Sequence, residues 1–137
     1  MKTLSVATLV SLLIMACIAA VTPLRAESSA KAVIYTAEFQ NAGGHVTTGN
    51  VTIEERDGKT IVTLDSSFSL DGAPDPKLAF GNDGYVKGTI FTKLNKLKGA
   101  QSYEVPANLS VGDYNELWLW CEKFSVPLGV AKLVKAN

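Results

Sequence analysis

Two side-chain types carry most of the chemistry available to this sequence, and both are among its scarcest. The chain has two cysteines, Cys17 and Cys121, and one histidine, His45. Cys17 lies in an N-terminal stretch that reads as a removable export leader, which leaves Cys121 without an intramolecular partner. An odd cysteine in an exported chain points to a reactive thiol, a cofactor ligand or an intermolecular disulfide. The alternative is a small buried apolar side chain, since free cysteine is among the most buried residue types. Its position in Leu117-Trp118-Leu119-Trp120-Cys121, on one face with Leu117 and Leu119, suits that second reading. His45 follows Gly43-Gly44 and reads either as a ligand or as a turn residue whose imidazole bonds backbone.

This inventory excludes much. Blue copper needs two histidines and a cysteine, and a structural zinc site wants four ligands, usually Cys or His. Thioredoxin-type exchange uses Cys-x-x-Cys. None of these can be built here, and the nucleophile elbow, dinucleotide loop and P-loop motifs are also absent from the sequence. Paired carboxylates for hydrolysis have no pointer. Two chemistries survive. One is thiol redox at Cys121, by oxidation to a sulfenic acid or through a mixed disulfide. The other is ligation of a prosthetic group such as haem iron by Cys121 or His45. Trp118 and Trp120 read first as packing residues.

The elements that must position these groups begin after the leader. Lys2 supplies a basic n-region, residues 4–21 an apolar h-region, and Leu24-Arg25-Ala26 a cleavage site that leaves Glu27 first. The domains expected are therefore a signal peptide over 1–26 and a single β domain over 27–137. Ile14-Met15-Ala16-Cys17 also resembles a lipobox, in which Cys17 carries a lipid. The expected location is periplasmic or secreted, with a membrane anchor only if Cys17 is lipidated. Without the leader's two cations, the 13 basic side chains fall to 11 against 13 acidic ones. That balance opposes nucleic-acid binding, which wants a basic face.

Short β-rich runs alternate with Gly, Pro, Asn and Asp clusters from residue 32 onward. Strands are expected at 33–39, 50–56, 59–70, 77–80, 89–93, 101–105, 116–124 and 130–134. A two-residue hairpin turn is expected at Asp57-Gly58, and one helical turn is allowed at 94–98. About eight strands without supporting helices predict an all-β antiparallel sandwich or flattened barrel. The run 116–124 is apolar on both faces and reads as a central strand.

The chain resembles the DM13 domain family from about Phe39 to Leu133. His45-Val46-Thr47-Thr48-Gly49 resembles the family's early His-x-x-x-Gly element, and Phe68-Ser69-Leu70-Asp71-Gly72-Ala73-Pro74-Asp75 its Asp-Gly…Pro-Asp turn. Leu97-Lys98-Gly99 with Gln101, Tyr103 and Pro106 resembles the segment before the last hairpin. Trp120-Cys121-Glu122-Lys123-Phe124-Ser125-Val126 and Gly129 resemble its Trp-Cys-x-x-Phe-x-Val signature. Ala73 and Leu128 depart from the glycine and the aromatic common at those places. The resemblance implies an electron-transfer role with Cys121 as the redox residue, as a bare thiol or as a ligand to a group such as haem. His45, Asp75 and Trp120 are then candidates for its surroundings, and the partner is an unidentified redox or protein partner. The competing expectation is a non-catalytic binding or adhesion module in which Cys121 only packs.

Overall fold

The computed structural model describes residues 31–137, so the leader, its cleavage site and the lipobox at Cys17 lie outside the described residues. Eleven strands follow: β1 (Ala32–Asn41), β2 (Thr47–Thr48), β3 (Asn50–Arg56), β4 (Lys59–Leu64), β5 (Ser69–Leu70), β6 (Pro76–Gly81), β7 (Thr92–Lys93), β8 (Gln101–Val105), β9 (Glu116–Cys121), β10 (Val126–Lys132) and β11 (Val134–Lys135). A single 3-10 turn, Val111–Asp113, precedes β9. Among the described residues there is no α-helix. The all-β antiparallel expectation holds.

Eight strands run in the order β7-β6-β9-β10-β1-β3-β4-β8, with β11 added to β1, and they curl into a nearly closed, barrel-like sheet. Strand β1 joins the two halves. Its first part pairs with β3 from Ala32 to Glu38, and its last three residues pair with β10. Alternation fixes which side chains enter the core. Val51 and Ile53 of β3, Val62 and Leu64 of β4, Tyr103 and Val105 of β8, and Leu117, Leu119 and Cys121 of β9 all point inward and are buried. Phe80 lies between Phe91 and Tyr114, with ring centroids 5.1 and 5.2 Å away and near-parallel planes. Strand β9 lies between β6 and β10 as a central strand, its inner face buried and its outer face, carrying Trp118 and Trp120, half-buried.

Four local expectations differ from the structure. The run 59–70 breaks after Leu64, because the Asp65 carboxylate accepts bonds from Ser67 N and Oγ and from Asn50 Nδ2, turning the chain. The run 89–93 shrinks to β7, because the Thr89 hydroxyl bonds Phe80 O and Val86 O instead of lying in a ladder. Segment 94–98 forms no helical turn; the Leu97 carbonyl accepts from Leu70 N instead. Strand β9 stops at Cys121 and β10 begins at Val126, four residues before expected. Pro127 reads as a breaker but sits beside a register shift between Pro127 and Gly129, where a bulge tolerates it.

Candidate functional site

Cys121 is the last residue of β9. Its backbone pairs with Pro76 at the start of β6 and with Val126 at the start of β10. The side chain faces inward with Leu117 and Leu119, is 1% exposed, and forms no disulfide among the described residues. No hydrogen-bond partner reaches Sγ among the described residues. A short exposed turn over 122–125 follows immediately. In it Ser125 adopts φ 52°, a left-handed value that non-glycine residues visit rarely, and Phe124 is 61% exposed.

The surroundings of this strand end come from distant parts of the sequence. Glu122 N donates to the Asp75 carbonyl at 3.3 Å, so Asp75 flanks the cysteine through its backbone. Its carboxylate points to the outer face, where Lys77 lies 3.6 Å away and also pairs with Glu122. The Glu122 bond, aided by Asp75, holds the Lys77 ammonium above its ordinary pKa despite partial burial. Asp75 and Cys121 therefore sit close in space, at the end of the β6–β9 pair, with carboxylate and thiol on opposite faces.

His45 sits in the loop between β1 and β2. Its Nδ1 lies 2.9 Å from Asp71 Oδ1, while Val46 N donates to Asp71 Oδ2 at 2.9 Å. The Val46 amide, and after it the imidazole, lower the Asp71 carboxyl below the usual range. Two residues on, the Thr47 hydroxyl donates to Leu128 O at 2.7 Å and packs where Gly129 has no side chain. This ties the histidine loop to β10, the strand paired with Cys121. No hydrogen bond joins His45 to Cys121 among the described residues.

The remaining family-like pieces are joined to the His45 and Asp71 loops. Gly49, at φ 118°, lies directly against the Phe68 backbone, and Leu70 N and Phe68 O bond Leu97 O and Gly99 N at 2.8 and 2.9 Å. The segments around His45, Asp71, Leu97 and Cys121 are thus stitched into one cap, although they span most of the chain. Residues 38–133 match a family model described as electron transfer DM13. The chain belongs to the DM13 family. No curated protein and no solved structure matches it. Membership supports a redox role for this DM13 domain in general terms, without naming a residue, a cofactor or a partner.

A haem ligand must present its donor atom to an open face. Cys121 does not do so: its sulfur lies in the apolar core with Leu117 and Leu119. His45 offers a partly exposed imidazole, already oriented through Nδ1 by Asp71. The residues around Cys121 do not fit haem ligation in this conformation.

Trp120 occupies the outer face of β9, back to back with the core. Its indole stacks on Tyr85, with centroids 4.0 Å apart and planes 6° from parallel, and meets Trp118 edge-on at 6.5 Å. Trp118 Nε1 donates to the buried Glu116 carboxylate at 2.8 Å, and Gly84 N donates to the same oxygen. Asp71 was legible only as part of a turn, not as the partner of His45, and Tyr85 was not legible at all, because each works through a partner more than 25 residues away.

Proposed function

We propose that this DM13 domain is an exported thiol-redox module acting through Cys121, in the periplasm or outside the cell, and lipid-anchored where Cys17 is the processed residue. One observation supports the reading above others: hydrogen bonds link the four family-like segments one to the next, and the chain of bonds ends at the β9–β10 connection beside an unpaired thiol. The buried sulfur reacts after local opening of the 122–125 turn, whose exposed residues and strained Ser125 make it a low-stability element. Opening lets the thiol ionise. The thiolate then attacks a partner protein's disulfide, the partner's S–S bond breaks, a mixed disulfide to Cys121 forms, and the partner's second sulfur leaves as thiolate. In this step the Cys121 sulfur is oxidised to the disulfide level and the leaving partner sulfur is reduced to thiolate; full reduction of the partner then needs an external thiol, which attacks Cys121 Sγ and releases the partner's other sulfur as thiolate.

Burial of Sγ without a polar neighbour favours a second reading, in which the domain binds a partner and Cys121 only packs. Oxidised glutathione separates the two. Under the redox reading, folded protein gains one glutathione at Cys121, mapped by peptide mass, at a rate that plateaus with reagent concentration as opening becomes limiting. An adduct that appears only in denaturant overturns the redox reading and leaves the binding one.

A further inference from the structure

From the outer face of β9 we infer a binding site for a phosphorylated planar heteroaromatic compound, in the cleft bordered by Tyr85, Trp120 and the lysines of β6, β7 and their connecting loop. The inference does not depend on Cys121 being redox-active. The cleft is open to solvent and spans about 880 Å³, a volume within the range of small-molecule sites, which runs from roughly 300 to 1,000 Å³. Trp120 and Tyr85 are both partly exposed and nearly parallel, so the pair presents a preformed flat stack. A flat ring extends such a stack with little loss of side-chain entropy, because the tryptophan and tyrosine are already held. Ile90 and Phe91 add apolar wall.

The rim supplies the second half of the recognition. Lys77, Lys87 and Lys93 line the cleft against one carboxylate, Glu122. Lys77 is committed to Asp75 and Glu122. Lys87 and Lys93 are exposed and, among the described residues, neither stands in an ion pair. Two uncommitted ammonium groups beside a ring platform select a planar ring with an anionic tail over a neutral one. The second large cleft, about 730 Å³ beside Tyr35, lacks this bias, since Lys59 and Lys135 there face Glu55 and Glu104.

Flavin mononucleotide, riboflavin and adenosine monophosphate test the inference by equilibrium dialysis against the folded protein. Quenching of flavin emission reports stacking on the rings. Saturable binding of the flavin phosphate at least tenfold tighter than riboflavin is expected, and the adenine nucleotide shows whether a purine serves as well. The double variant Lys87→Gln/Lys93→Gln changes only exposed side chains; it should bring the flavin phosphate to riboflavin's affinity and leave riboflavin unchanged. Tyr85→Leu should weaken both flavins together. Equal affinity for the two flavins, no saturable binding up to about 1 mM, or indifference to the lysine changes overturns the proposal.

Discussion

A thiol held in an apolar core answers differently to each replacement. Cys121 is 1% exposed among Leu117 and Leu119 with no hydrogen-bond partner at Sγ. Serine puts a hydroxyl in that place, and an unsatisfied buried hydroxyl costs about 1–3 kcal/mol. Alanine leaves a small void and no polar group, so its cost should be nearer 1 kcal/mol. Urea unfolding should therefore rank Cys121→Ala above Cys121→Ser in stability. The reverse order means that the strand end carries a polar partner for an oxygen, and alanine would then be the wrong control for redox assays. The burial itself was legible beforehand, because Cys121 shares the alternation of two leucines. The left-handed serine in the turn that follows was not, since nothing in Glu122-Lys123-Phe124-Ser125 forces that conformation locally.

At the scale of elements, the connections decide how the pieces of the cap meet. Gly49 links β2 to β3 at φ 118° with its α-carbon against the Phe68 backbone, whereas Gly58 turns the β3–β4 hairpin at φ 72° with no atom within 4 Å of an added Cβ. Gly58→Ala meets only the left-handed penalty of about 1–2 kcal/mol. Gly49→Ala adds overpacking of roughly 1–3 kcal/mol more and should also disturb the His45 loop. Thermal unfolding of both variants checks the order, and equal losses would mean that the Phe68 segment gives way freely. Strands β3 and β8 were readable to the residue because their alternation is clean and their ends are marked by turn chemistry. Strand β10 was read short, since proline and glycine mark breaks except where a bulge absorbs them. The run after β4 was read long, since the side chain of Asp65 overrode the β-propensity of its neighbours.

For the molecule as a whole, the fold class followed from strand spacing, while the closure of the sheet depended on β1 serving both halves. The cap was legible as separate segments and became a site only when those segments were joined. Of the Tyr85–Trp120 cleft only Trp120 was singled out in the sequence, because stacking across 35 positions has no local pattern. Charge also acts globally. Asp65, bonded by Ser67 and Asn50, is lowered to about 2. Glu54 is lowered as well: burial pushes its carboxyl up, but Lys31 and Arg56 outweigh it. Both folded values lie below the unfolded ones of about 4, so their stabilisation is complete above pH 4 and is lost as pH falls toward 2. Unfolding midpoints between pH 5 and 2 should fall, and more gently in Asp65→Asn; matching slopes would count against this source of acid sensitivity. The ten-residue span of β1 has a further consequence. Its first residue lies by the β3–β4 hairpin and its last by the His45 loop, about 30 Å apart at the rise of an extended strand. A segment entering ahead of Ala32 therefore meets the barrel at the end opposite the one that carries Cys121.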